Sequence, residues 1–341
     1  MRVLLVRLDG IGDAAVCAPL LLALRDAGHE VGAALTTRNA GLFAPGALIA
    51  EHVLERIPWP KHGSTPASTA RAQREIAALR YDAALVASEE PEAYALAKPI
   101  PRRVGFVTAR QRPLKTLWAR MQLTDAVDRS QRVGRDERHE ADVLFSLGQA
   151  LARRSRRGVT QPHTAPRAPA AEAGSPHFTA PSRDASRLRT LFTGSGEPPR
   201  RGGLVLQAGP KWASSGVPAS ALAVVARALE ARGRRVLAAP ADAAAVASAL
   251  GVAPETPPDL RAWVAALDAA ETVITTDTGA AHVAGMLGVP VVDVFPDPHF
   301  AEQVRRWSPW ASPYAALRAS AVAGAPVRAI EAALDELRAQ R

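Results

Sequence analysis

Apolar and polar positions along this chain alternate between two periods. Short apolar runs at residues 3–8, 31–36, 83–87 and 103–107, with a weaker one at 52–57, are bounded by polar or glycine-containing turns. These read as buried strands. Between them, residues 13–27 and 70–79 place apolar side chains at helical spacing, and Gly28 supplies a C-terminal stop. Residues 139–151 are amphipathic, with Val143, Leu144, Leu147 and Leu151 on one stripe. The second half repeats the alternation. Strands are expected at 203–207, 235–239, 272–276 and 289–295, and helices at 219–231, 241–250, 260–269, 280–287 and 327–339. Strands alternating with helices imply βαβ units and parallel sheets, an α/β fold.

Residues 153–202 break this rhythm. Pro162, Pro166, Pro169, Pro176, Pro181, Pro198 and Pro199 mark an irregular connector, with one local helix expected at 183–191. The chain therefore divides into two Rossmann-like halves, 1–175 and 176–341. Packing of the C-terminal helix back on the N-terminal half is left open.

Composition narrows the class. With 341 residues, 48% of them hydrophobic and only 5% aromatic, the chain has material for two cores built from small aliphatics. No apolar run approaches the roughly 18–20 residues that span a bilayer. The start, Met1-Arg-Val-Leu-Leu-Val, reads as a first strand and not as a signal peptide. Cys17 is the only cysteine, which fits a reducing cytoplasm and a buried, inert thiol. The formal charge is +9, carried mostly by arginine, and clusters at Arg102, Arg103, Arg110, Arg112, Lys115 and Arg120 and again at Arg153, Arg154, Arg156 and Arg157. Such clusters suit phosphorylated substrates or anionic head groups. No zinc-finger, helix-turn-helix or RNP pattern accompanies them, so nucleic acid is not an expected partner.

Two segments carry candidate chemistry. In Val273-Ile-Thr-Thr-Asp-Thr-Gly-Ala-Ala-His282 a short strand turns into a helix, placing Asp277, Thr278, Gly279 and His282 at the strand's carboxyl end. Helix N-termini there attract phosphate through free N–H groups and the dipole. Asp277 and Thr278 could equally serve as helix caps. Near the other end, Gly10-Ile-Gly12-Asp-Ala-Ala15 follows a strand and opens a helix. It fits the dinucleotide pattern G-x-G-x-x-A, but Asp13 would set a carboxylate where a pyrophosphate should lie, and no acid ends the second strand. Asp13 is either a first-turn acid on the helix dipole or a carboxylate facing a cleft, suited to general-base work.

Taken together, the pieces resemble a known family. Arg7-Leu-Asp-Gly-Ile-Gly-Asp13 with Pro19 and Leu24, His139-Glu-Ala-Asp, Gln207-Ala-Gly209 leading through Pro218, and Asp277-Thr-Gly-Ala-Ala-His282 with Gly288-Val-Pro290 and Phe295 are similar to glycosyltransferase family 9. Its best-known members are ADP-heptose:lipopolysaccharide heptosyltransferases. The resemblance implies a GT-B fold, with two Rossmann-like domains facing a central cleft. The N-terminal domain would bind the acceptor, with Gly12, Arg102, Arg103 and Arg112 as candidate contacts. The C-terminal one would bind a nucleotide-diphosphate sugar, ADP-sugar favoured, through Asp277, Thr278, Gly279, His282, Lys211 and Asp242.

It further implies an inverting, metal-independent transfer of a heptose-like sugar to an anionic cell-envelope glycan or glycolipid, with Asp13 as general base and no cofactor. The site of action would be the cytoplasm, with peripheral contact at the inner face of the cytoplasmic membrane held open. Three positions depart from the family. Ser215, Gly216 and Val217 stand where a Lys-Arg-Trp segment is usual, Asp242 where a ribose-binding glutamate is, and Pro296 where Phe-Gly-Pro runs. A GT-B-shaped binding protein with an eroded donor site is the competing reading. An NAD(P)-dependent oxidoreductase built on Gly10-x-Gly12 is the third.

Overall fold

The computed structural model describes residues 1–56, 63–107, 113–129, 138–155 and 178–340. Arg110, Arg112, Arg156, Arg157 and the expected boundary at 175/176 lie outside the described residues. Two parallel sheets organise the rest. The first orders β3 (Glu51–Leu54), β2 (Glu30–Thr36), β1 (Arg2–Val6), β4 (Ala83–Val86), β5 (Arg102–Val107) and β6 (Asp125–Asp128). Its central strand, Arg-Val-Leu-Leu-Val, is apolar on both faces because helices cover both. Leu5 and Val3 face α2 (Ala18–Asp26) and α6 (Glu140–Ser155), whereas Leu4 and Val6 face α3 (Pro66–Leu79), α4 (Pro91–Ala97) and α5 (Pro113–Gln122). The second sheet orders β11 (Tyr314–Arg318), β10 (Val291–Phe295), β9 (Thr272–Thr276), β7 (Leu204–Gln207) and β8 (Arg235–Leu237). On one face lie α9 (Ala219–Ala228) and α15 (Pro326–Ala339), and on the other α11 (Leu260–Asp268) and α12 (Gly279–Met286). Two Rossmann-like domains therefore face each other, as the strand–helix alternation predicts.

One hydrophobic cluster runs through both domains, from Leu5, Leu21 and Leu144 on the N-terminal side to Val264, Val273, Val283 and Val291 on the C-terminal side. Helix α7 (Ala185–Thr193) wedges between α2, α11 and α12, adding Leu188, Leu191 and Phe192 to that cluster. The local helix expected at 183–191 thus exists and has a packing reason.

Differences from the sequence reading have local causes. The helix expected at 13–27 is two, α1 (Ile11–Ala15) and α2, because Pro19 in the first turn of α2 has no N–H to continue the ladder. Strand β6 is a short, half-exposed edge, and β11 is Tyr-Ala-Ala-Leu-Arg, a helix-forming composition held extended by parallel pairing with β10. Ile330, Ala333, Leu334 and Leu337 of α15 join the core against α9 and β11, completing the C-terminal sheet's outer layer. Among the described residues no helix is long and apolar enough to cross a membrane.

Candidate active site

Strands β1 and β9 both end at the cleft, and each hands over to a helix start. On the N-terminal side α1 begins after Gly10, and Asp13 occupies its third position. One carboxylate oxygen, Oδ2, accepts from the Gly10 N–H at 3.1 Å, and the other, Oδ1, accepts from Arg7 Nη2 at 2.7 Å. A third of the Asp13 side chain stays exposed, so the carboxylate is oriented but reachable (33%). The Arg7 guanidinium is buried, donates to the Ala87 carbonyl, and also lies 3.2 Å from Asp9 Oδ2. Burial opposes its charge, but Asp9 and Asp13 hold its pKa above the ordinary arginine value. Burial pushes the neighbouring Cys17 thiol up to about 12, so this cysteine is neutral and inert as its apolar setting predicts. The Ser88 hydroxyl donates to that same Asp9 oxygen at 2.6 Å.

On the C-terminal side Thr278 caps α12. Its Oγ1 shares a 3.0 Å hydrogen bond with Thr275 Oγ1 and accepts weakly from the Ala280 N–H at 3.4 Å. Capping and anion binding are compatible here, since the first N–H groups of a helix exceed what one cap can satisfy. His282, one turn on, is buried, with Nε2 3.5 Å from Asp277 Oδ1 and its ring 5.6 Å from Trp307 in an edge contact.

The two helix starts meet at glycines. A Cβ on Gly12 would stand 2.5 Å from His282 Cδ2 and 3.4 Å from Gly279 Cα. One on Gly279 would stand 3.0 Å from Ile11 Cβ and 3.3 Å from the Gly12 nitrogen. Gly12 is thus required for close approach across the cleft and not for a dinucleotide turn. With the Gly10 N–H already taken by Asp13 and α12 seated on Gly12, no pyrophosphate fits at the start of α1.

Beside this junction opens a cavity of about 410 Å³, within the size range of ligand pockets. Thr276, Thr278 and Gly279 line one end, with Ile11 reaching in from the N-terminal domain, and Lys211, Asp242, Asp259, Trp212 and Trp263 line the rest. Gln207 stiffens the wall. Its main-chain carbonyl accepts from Trp212 Nε1 and its side-chain Oε1 from Trp263 Nε1, each at 2.8 Å. Among the described residues the buried Thr276 hydroxyl has no hydrogen-bond partner.

The structure gathers Asp13, Gly12, Asp277, Thr278, Gly279 and His282 at one junction, and Lys211 and Asp242 in the adjoining cavity. Lys211 opens a one-turn helix, α8 (Lys211–Ser214), and lines the cavity, whereas Ser215 is buried beneath that turn. Asp297, after Pro296, is tied instead to Ser320, which donates from N–H and Oγ at 2.9 and 2.6 Å.

Arg102 and Arg103 are not brought to the site. They open β5, at the end of the sheet opposite to the one where β1 delivers Asp13. Arg102 donates to the Ala150 carbonyl, and Arg103 to those of Gln122 and Ile100. Their charges brace loops on that far edge, away from Asp13. Arg112 lies outside the described residues.

Three features were given no role in the sequence reading. Glu140, fully buried, binds Arg129 Nη2 at 2.8 and 3.0 Å and Arg306 Nε and Nη2 at 3.1 and 3.0 Å, joining the two domains. Its neighbour His139 accepts from the Ala141 N–H at Nδ1 (3.0 Å) and donates from Nε2 to the Ser308 carbonyl at 2.7 Å. Burial lowers its pKa to about 4, and that bond pattern needs the neutral ring. Asp293, in the middle of β10, is completely buried, and burial reinforced by Asp277 raises its pKa well above the carboxylate range. An acid inside Val-Val-Asp-Val-Phe was visible in the sequence. The helix start at 139 hid the ion-pair cluster, because its partners lie far along the chain.

Residues 69–332 match glycosyltransferase family 9 (heptosyltransferase). No curated protein matches the chain. Among solved structures, E. coli heptosyltransferase WaaC with ADP superposes with a TM-score of 0.66 at 17% identity, covering 98% of this chain and 99% of that one. E. coli ADP-heptose lipopolysaccharide heptosyltransferase II gives 0.65 at 16% identity, covering 100% and 99%. A family 9 glycosyltransferase from Veillonella parvula gives 0.63 at 18% identity, covering 93% and 85%.

Proposed function

This chain belongs to glycosyltransferase family 9, and we propose that it moves a heptose-like sugar, with inversion, from a nucleotide-diphosphate sugar to an anionic cell-envelope glycan or glycolipid. The observation that carries this reading is the contact of Gly12 with Gly279 and His282, which sets the Asp13 carboxylate beside the start of α12. Asp13 removes the proton of the acceptor hydroxyl as that oxygen attacks the anomeric carbon. The carbon's bond to the diphosphate oxygen breaks in the same displacement, which inverts the centre. Arg7 acts on Asp13 as a positioning residue, fixing one oxygen and leaving the exposed part of the carboxylate to the acceptor.

The leaving diphosphate gains charge, and the groups placed to hold it are the first N–H groups of α12 and the Lys211 ammonium. The Thr276 hydroxyl, without a partner among the described residues, is assigned to the donor. Asp277 holds His282 against Gly12, so that pair shapes the floor between donor and acceptor. Asp242 is assigned to the donor's ribose. These groups supply the charge without a metal. The WaaC structure holds ADP, which makes adenine nucleotides the first donors to test. A cytoplasmic location fits this donor class.

The test is a thermal-shift and turnover screen against ADP-, GDP-, UDP- and dTDP-sugars and NAD(P), with wild type and Asp13→Asn. Stabilisation by one nucleotide sugar, and transfer that Asp13→Asn abolishes without loss of donor binding, is the expected result. Stabilisation by NAD(P) alone, or full transfer by Asp13→Asn, would refute it.

A further inference from the structure

Trp307 packs its ring edge-on against His282 at 5.6 Å, and it ends α13 (Phe300–Trp307), a helix of the C-terminal domain. Its place is set from the other domain. The residue before it, Arg306, donates from Nε and Nη2 to Glu140 Oε2 at 3.1 and 3.0 Å. The residue after it, Ser308, accepts at its carbonyl from His139 Nε2 at 2.7 Å. Two consecutive residues where α6 begins therefore grip the two chain neighbours of one tryptophan. Arg306 also stands 5.1 Å from the centre of the Trp307 ring, within cation–π range.

The energetics of this grip favour direction over stability. Glu140 is 1% exposed, and removing its charge from water costs much of what its ion pairs return. Elsewhere the seam is made by uncharged side chains such as Leu144, Leu147, Val283 and Met286. Apolar contact has no preferred direction, so it resists sliding of one domain on the other only weakly. An Arg–Glu–Arg group fixes one register. Glu140 is itself pinned, because both its oxygens accept from Arg129 Nη2 at 2.8 and 3.0 Å on the N-terminal side. The register ends at the chemistry. His282, between Trp307 and Asp277, abuts Gly12, the residue before Asp13.

We propose that Glu140 is a positioning residue for the transfer reaction: with His139 it clamps Trp307 from the acceptor side, and through Trp307 it sets the His282 ring that spaces Asp13 from the donor. The clamp stands on these contacts alone, and only its effect on turnover rests on the glycosyltransferase reading.

Histidine side-chain NMR and a kinetic cycle test it, with Glu140→Gln and Arg306→Gln breaking the grip from its two ends. The Arg306 side chain is 41% exposed, and Glu140 keeps Arg129 when it is lost, so this variant retains its fold should the first not. The His282 signals, identified by their loss in His282→Ala, should shift in both variants as the Trp307 ring moves, while those of His52, held by Glu75 and Tyr81, stay in place. Transfer is followed by nucleoside diphosphate release, with whichever of the ADP-, GDP-, UDP- and dTDP-sugars the wild type uses. Each variant should lower kcat about tenfold and leave donor KM within about twofold. In a His282→Ala background the same substitutions should change kcat by less than about twofold, since the link is already cut. An equal fall in kcat with and without His282 would reduce Glu140 to a structural residue and overturn the proposal. His282 signals unmoved in both variants would do the same. Absence of transfer by the wild type would refute the glycosyltransferase reading instead, and the His282 signals alone would then decide the clamp.

Discussion

Replacing Gly12 by alanine tests the junction on which the site depends. The new Cβ would lie 2.5 Å from His282 Cδ2, more than 1 Å inside normal carbon–carbon contact. His282 cannot easily move aside, since Asp277 holds its Nε2 and Trp307 its ring. Overpacking of this kind costs about 1–3 kcal/mol. Alanine recovers up to about 1 kcal/mol of helix propensity, less here because Gly12 is only the second residue of α1. The net loss of stability is therefore about 1–2 kcal/mol, a few degrees in melting temperature.

Activity should respond more strongly. The strain is relieved by parting α1 from α12, which carries Asp13 away from the diphosphate end of the donor. A displacement near 1 Å at a reacting pair costs on the order of 100-fold in rate. Stopped-time transfer assays would then show kcat reduced by that order while donor binding, read by thermal shift, changes little. The double variant Gly12→Ala, His282→Ala removes the colliding ring and should regain most of the lost stability. A Gly12→Ala enzyme with wild-type kcat and melting temperature, or a double variant no more stable than the single, would refute the argument.

Three further outcomes follow from other groups. Lys211→Ala removes a charge-assisted diphosphate contact worth about 1.5–3 kcal/mol, so donor affinity by calorimetry should fall roughly 10- to 150-fold, whereas Ser215→Ala should leave it unchanged. Burial raises the Asp293 pKa well above its ordinary value, so the fold binds a proton that the unfolded chain releases above that value, and stability falls as pH rises from there. Asp293→Asn should therefore melt higher than wild type by a margin that widens as pH rises above about 4, by at most about 1.4 kcal/mol per pH step of one; a margin independent of pH contradicts this. His139 is the opposite case. It is neutral in the fold down to about 4 and charges below 6.5 when unfolded, so stability is lost as pH falls through that window, by about 3 kcal/mol in all. Urea titrations at pH 7.5 and 4.5 should show His139→Gln losing less than wild type on acidification, and an equal loss in both would count against the neutral ring.

What could be read from the chain, and what could not, divides along physical lines. Strands such as β1 and β10 are unbroken apolar runs between turns, and the polar cap at Asp277 and Thr278 marks the start of α12, so both sheets and both helix starts were legible. Short edges were not, since β6 is half exposed and β11 has the composition of a helix. The reason for Gly12 was illegible too. A glycine required by a neighbour some 270 positions away along the chain looks locally like a turn residue. The place of Arg102 and Arg103 was not legible, because clustering of charge says nothing about which end of a strand it occupies.

The shared cluster that runs from Leu5 and Leu144 to Val273 and Val291, with α7 driven between the halves, bears on how this protein can be taken apart. A large apolar seam makes the two domains one folding unit, so each expressed alone would expose core and aggregate. Chimeras that graft a foreign donor half onto this acceptor half inherit the same constraint. They need the matching face of α11 and α12, and the wedge that fills the gap, before any change of sugar specificity can be read.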